Sequence, residues 1–304
     1  MSEKPKIEIT INQINKLIKS LKVFPSNTEF TIHNFLLKNT SVPVPKIIAY
    51  QETRNEIIGY EFVLMENIEG IVLEKILYKL DTENRKKVLS QIAFYISQLQ
   101  KYKFNKIGSF IGISENNQLK IGPMIEFGEG PLNSVQEYFD VRIRNTIPAF
   151  ESTPSLVKYV EILKKYKNSH LPQIQCENTF ALCHGDLFSD NILINPKSLK
   201  ITGILDWEYS GSFPLDHEFI NTDLFKMDNH NFGFRHFFIQ ELIKYGVQKP
   251  PLFDKRRIHF KFFFVCMVLE SHKWWFENEK RDAFLLEYIT KLDKIIKILN
   301  LNLD

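Results

Sequence analysis

Ile14, Leu17, Ile18 and Leu21 recur at helical spacing in ITINQINKLIKSL, which predicts a short amphipathic helix. The break FPSN follows. TEFTIHNFLLKNT then predicts a second helix, capped by Asn27 or Thr28, with Ile32, Phe35 and Leu36 on its buried face. SVPVPKIIAY must run extended, because Pro43 and Pro45 lack amide donors and bias their neighbours away from helix. In EIIGYEFVLMENIEG, residues 56–70, Tyr60, Phe62 and Leu64 alternate on one face of an expected strand. That strand runs into a polar joint from Glu66 to Gly70.

Beyond the joint the period becomes helical. Residues 81–102 start at Asp81, a suitable cap, and carry Val88, Ile92, Tyr95, Ile96 and Leu99 as one stripe. Residues 105–133 are rich in Gly, Asn and Pro and predict loops with short strands. FALCHGD, NILIN and KITGILDW are three short apolar segments, with NPKS as a hairpin turn between the last two. After Pro214 the pattern is mostly helical. It ends in AFLLEYITKLDKIIKIL, where Leu285, Tyr288, Ile289, Leu292, Ile295, Ile296 and Leu299 share a face. The expected organisation is α+β: a small mixed N-terminal part, residues 1–66, and a larger, mainly helical part, residues 67–304, with a few strands at its centre.

Composition narrows the class. The chain has 304 residues, 44% of them apolar and 25% charged, as in soluble globular proteins with a substantial core. A net charge of +3, with no dense basic cluster, argues against a nucleic-acid partner. The cysteines Cys176, Cys183 and Cys266 form no CxxC pair and no zinc spacing, which fits a reducing compartment. MSEKPKIEIT lacks a signal-peptide core. The longest apolar run, FFFVCMVL, falls short of the roughly 20 residues a membrane span needs. A cytoplasmic protein without a membrane partner is expected; the oligomeric state is not legible.

Candidate chemistry sits on the short central strands. HGDLFSDNIL, residues 184–193, leaves one expected strand and enters the next, and ILDWE follows at residues 204–208. Asp and Asn are common turn residues, so His-x-Asp-x-x-x-x-Asn alone carries little weight. A hairpin, however, would set Asn191 beside Asp206, both facing the loop that holds Asp186. Magnesium takes oxygen ligands, typically one or two carboxylates plus substrate phosphates. A further carboxylate free of the metal can orient an acceptor hydroxyl and take its proton, as in phosphoryl transfer.

HGDLFSDNIL followed by GILDWE closely resembles the aminoglycoside phosphotransferase family, the choline/aminoglycoside kinase-like group with a protein-kinase-like fold. FVLMENIEG is similar to the family's hinge, GSFPLDHEF to its G-x-P-x-x-D segment, and TEFTIHNFLLKNTSVPVPKIIAY to its N-lobe helix and strand entry. The resemblance implies a bilobal fold and an ATP- and magnesium-dependent kinase acting on a hydroxyl of a small molecule. It implies Asp186 as base and Asn191 and Asp206 as magnesium ligands. His184 matches a position that shapes the catalytic loop; the rival reading makes His184 itself the base. Met65, Glu66 and Asn67 match the hinge that holds adenine. Glu208 would support Asp206 or touch substrate, and Asp216 would hold loop backbone amides.

The N-terminal part departs from the family pattern. Glu29 matches the family's helix Glu, but the first glycine of the chain is Gly59, so no Gly-rich loop precedes it. Lys22 is either the phosphate-binding Lys of a shortened lobe, or part of a chain from which the family's strands are missing. A weakly active or non-catalytic nucleotide-binding protein is therefore the alternative expectation. A polycationic acceptor would need an acidic pocket, for which Glu270, Glu277 and Glu279 are candidates.

Overall fold

The computed structural model of the chain describes residues 28–51, 62–174, 179–220, 224, 232–249, 253–275 and 278–301. The expected helix before residue 22, Lys22, Cys176 and the first part of the strand after residue 56 lie outside them. The first described element is helix α1 (Thr28–Asn39), with Ile32, Phe35 and Leu36 buried as its spacing requires. The proline segment runs extended into β1 (Ile47–Gln51), which pairs antiparallel with β2 (Phe62–Met65).

The joint leads to β3 (Ile71–Val72), a short helix α2 (Glu74–Leu77) and helix α3 (Thr82–Leu99). Asp81 caps α3: its Oδ1 accepts the Asn84 amide at 2.8 Å. The helix stops at Leu99, short of the expected residue 102. Gln100 instead turns its amide onto Leu182 O at 3.2 Å, and the chain enters β4 (Lys103–Phe104) to pair with a later strand.

β5 (Gly108–Ile113) and β6 (Leu119–Ile121) follow, then helices α4 (Val135–Glu151) and α5 (Tyr159–Ser169). Next come β7 (Phe180–Cys183), β8 (Ile192–Ile194), β9 (Ile201–Ile204) and β10 (Gly211–Phe213). Helices α6 (Leu215–Ile220), α7 (Phe232–Lys244), α8 (Phe253–Trp275) and α9 (Asn278–Ile298) complete the described chain. None of the described helices is long and apolar enough to cross a membrane.

The strands form three antiparallel sheets: β1–β2, then β3–β8–β9, then five strands in the order β4–β7–β10–β5–β6. Two apolar cores hold them. One gathers α4, α5, α8 and α9 around β7 and β10. The other joins α1 and α3 to the strands of the β8–β9 hairpin, with Ile32, Leu36, Val88, Ile92, Ile192, Ile204 and Trp207 all buried together. The proline segment is tied into that second core. The Ile204 amide donates to Pro43 O at 2.7 Å, and the Ser41 amide to Gln98 Oε1 at 2.8 Å.

Candidate active site

β8 and β9 pair with Ile192 opposite Ile204, so the residues just outside that pair, Asn191 and Leu205, face each other. The Leu205 amide donates to Asn191 O at 2.8 Å, which puts Asp206 one residue from Asn191's strand partner. Asp206 sits at φ 62°, a left-handed conformation that Asp tolerates better than most residues and that breaks the strand at this point. On the other side, Asn191 Nδ2 donates to Asp186 O at 2.9 Å and to Asp186 Oδ2 at 3.1 Å. One hairpin thus brings Asp186, Asn191 and Asp206 into a single loop cluster.

His184 underlies this loop. It is fully buried, and Nε2 lies 2.9 Å from Leu205 O, a carbonyl that can only accept. Nε2 therefore carries the proton, and Nδ1 accepts the Asp186 amide at 3.2 Å. Burial holds its pKa down at about 4, so the ring is neutral. With both nitrogens engaged by backbone, His184 ties the loop to the end of β9 and has no nitrogen left for a substrate proton. Its ring lies 4.4 Å from the buried indole of Trp207, whose Nε1 donates to Ile204 O at 2.9 Å.

Gly185 adopts φ +88°, and a Cβ there would stand 2.3 Å from Tyr209 O. The amides of His184 and Gly185 both point at Glu218, whose carboxylate accepts from them at 3.0 and 3.4 Å. Burial raises Glu218 to about 7, while those two amides favour its charged form. This corrects the expectation for Asp216. That residue pairs with Arg256 at 2.5 Å in the protein interior and leaves the loop amides to Glu218. The sequence signal was present as a second acid in the apolar run FPLDHEF.

Electrostatically the site is a crowd of like charges. Burial, then Asp206 and Asp190, raise the Asp186 carboxyl to about 6, and Glu208 adds to the push. Asp206 is raised by burial and Asp190, and Glu208 by burial and Asp206. Glu29, in the first turn of α1, joins them: burial, Asp206 and Glu208 raise it to about 6. His33 Nε2 stands 3.8 Å from Glu29, but burial keeps that imidazole's pKa low. Lys22, which the resemblance would pair with Glu29, lies outside the described residues.

The donor set fits a hard divalent cation. Asn191 Nδ2 is spent on Asp186, which leaves its Oδ1 outside that bond, and a cation at this loop would relieve the crowding. Among the described residues no group of three or more His, Cys, Asp or Glu side chains could hold a metal ion.

The hinge residues lie at the end of β2, where Met65 is half-buried and Glu66 and Asn67 are exposed. The Glu66 amide donates to Lys46 O at 2.9 Å, so it is committed to the chain. Gly70, at φ +152°, passes so close to the hairpin that a Cβ would stand 2.7 Å from Thr202 Oγ1. Glu270 accepts from Thr146 at 2.9 Å on the inner face of α8, while the side chains of Glu277 and Glu279 lie outside the described residues.

The family model described as the phosphotransferase enzyme family matches residues 28–222. The chain belongs to that family. Solved phosphotransferases share its fold. The streptomycin–ATP ternary complex of APH(2")-IIa matches at a TM-score of 0.56 and 14% identity, over 95% of this chain and 97% of that one. The GDP complex of wild-type aminoglycoside 2'-phosphotransferase-IIIa matches at 0.55 and 16%, over 88% and 80%. The shared fold is the mixed helix-and-sheet, protein-kinase-like one.

Among curated relatives, acyl-CoA dehydrogenase family member 11 of Rattus norvegicus is 22% identical over 62% of this chain and 21% of its own length. Altered inheritance of mitochondria protein 9 of Clavispora lusitaniae is 35% identical over 33% of this chain and 18% of its own length. The chain thus spans about a fifth of the length of these curated relatives.

Proposed function

We propose that this chain is an ATP- and magnesium-dependent phosphotransferase that moves the γ-phosphoryl group of ATP to a hydroxyl of a small molecule. The observation that carries the reading is the bond from Asn191 Nδ2 to Asp186 Oδ2, made on the hairpin that also presents Asp206. Asn191 fixes one oxygen of Asp186 and leaves Oδ1 for the acceptor hydroxyl. Burial and neighbouring acids make that carboxylate a better base than an exposed Asp. As the new O–P bond forms and the bond from the γ-phosphorus to the β,γ-bridging oxygen breaks to release ADP, the hydroxyl proton passes to Asp186.

The Asn191 amide oxygen and the Asp206 carboxylate are the groups that would hold magnesium, which supplies positive charge to the phosphate oxygens in the transition state. His184 and Glu218 hold the loop backbone, so that Asp186 meets the acceptor without reorganising. At the hinge, the Glu66 carbonyl and the backbone of Met65 and Asn67 would receive the adenine. Glu29 would pair with a phosphate-binding lysine, for which Lys22 is the candidate.

The test is ATP consumption against a panel of small hydroxyl compounds, with magnesium present or chelated. Asp186→Asn should lower turnover by about 10²–10⁴-fold, the usual contribution of a positioned base, while its unfolding midpoint stays near the parent's. Turnover undiminished in that variant would refute the assignment.

A further inference from the structure

An open surface groove lies away from the candidate catalytic loop. It has a volume of about 570 Å³ and lies between α3, the β8–β9 turn and α7. That size is in the range of small-molecule sites, about 300–1,000 Å³. Four lysines line it, Lys86 and Lys87 from α3, Lys200 from the turn and Lys244 from α7, against two acids, Glu83 and Glu241. Both acids are already engaged. Lys86 pairs with Glu83 at 3.0 Å and Lys244 with Glu241 at 3.2 Å, and Glu241 also accepts from Ser90 on the opposite wall.

Lys87 and Lys200 differ. Both are exposed, and among the described residues neither has a carboxylate within ion-pair distance; Lys87 reaches only the amide oxygen of Asn84, at 3.4 Å. The charge offered to the cavity is therefore positive. Ser198 supplies a hydroxyl, and Phe237 and Leu199 an apolar patch. Ammonium groups on flexible stems act as point charges that suit phosphate and carboxylate clusters.

The wall formed by the turn is the distal end of the hairpin that carries Asn191 and Asp206. Gln91 clamps it in both directions: Nε2 donates to Leu199 O at 2.8 Å, and Oε1 accepts from the Ile201 amide at 3.0 Å. Leu199 itself sits at φ 56°. A ligand bridging Lys87 and Lys200 would bear on this clamped turn, and through two short strands on both candidate metal ligands.

We infer that the cavity between α3, the β8–β9 turn and α7 is a second, regulatory site for a compact polyanion, such as a small polyphosphate or tricarboxylate. Its occupant stiffens the hairpin that presents Asn191 and Asp206.

Isothermal titration of the full chain with inorganic tripolyphosphate, and separately with citrate, tests this in chelator and without magnesium. One-to-one binding is expected, weakened about tenfold or more, some 1.4 kcal/mol, by Lys87→Glu with Lys200→Glu, and unchanged by Asp206→Asn. Binding of both probes would identify charge as the recognised feature, and of tripolyphosphate alone a phosphate source. In hydrogen exchange, the probe should slow the amides of residues 192–204 in the parent and not in the double variant. No binding, binding indifferent to the lysine reversals, binding lost in Asp206→Asn, or no slowing of those amides would each overturn the inference.

Discussion

Two buried acids, two residues apart on α6, do different work, and only their partners tell them apart. Asp216 faces Arg256; Glu218 faces the His184 and Gly185 amides. The motif marked the segment, but backbone amides leave no trace in a sequence, so their acceptor could not be assigned from it. His184 and Glu218 also pull stability in opposite directions with pH. Burial lowers His184 from 6.5 to about 4, so the unfolded chain binds a proton there that the folded chain refuses. Stability from that group is lost as pH falls from about 6.5 to about 4. Glu218 is raised from 4.5 to about 7, so the folded chain keeps a proton that the unfolded chain has released. Its contribution is lost as pH rises through that window. Glu218→Gln removes the second slope and leaves the first. The variant should lose stability more steeply than the parent between pH 6.5 and 4.5, read from denaturant midpoints. Equal slopes would mean that Glu218 ionises alike in both states.

Among the elements, the hairpin β8–β9 was legible because two apolar runs flank an obvious turn, and α3 and α9 because their stripes are clean. Helix α4 was not. Its buried face carries Arg142, held at 2.7 Å by Glu126 and over the Tyr138 ring, and a buried cation hides an apolar stripe. Pro148 inside the same helix obscures it further. The strand β10 is three residues, Gly-Ser-Phe, with no alternation to read, yet it lies at the middle of the five-stranded sheet. An ion pair between α6 and α8 joins Asp216 to Arg256, both partners buried. Arg256→Ala should cost about 3–5 kcal/mol, because it strands a buried carboxylate. Arg256→Met with Asp216→Leu should recover most of that loss in urea unfolding. A single variant as stable as the parent would show that water reaches Asp216.

At the scale of the molecule, the second apolar core runs from α1 through α3 to β8 and β9, so α1 and the hairpin of the candidate site share one interior. Ile32 is fully buried in it. Ile32→Ala should cost about 2–5 kcal/mol and lower the single unfolding transition as a whole. A separate early transition for the N-terminal residues would contradict a shared core. The kinase-like fold was legible because a few polar residues at fixed separations imply the strands that must carry them. The partner of Glu29 was not, since a charge says nothing of which distant residue answers it. Trp207, buried against His184 and one residue from Asp206, has a further consequence. The sequence holds three tryptophans, and the other two, Trp274 and Trp275, close α8. One of the chain's three tryptophans is thus set beside the candidate catalytic loop, where ultraviolet emission can follow the site without any attached dye.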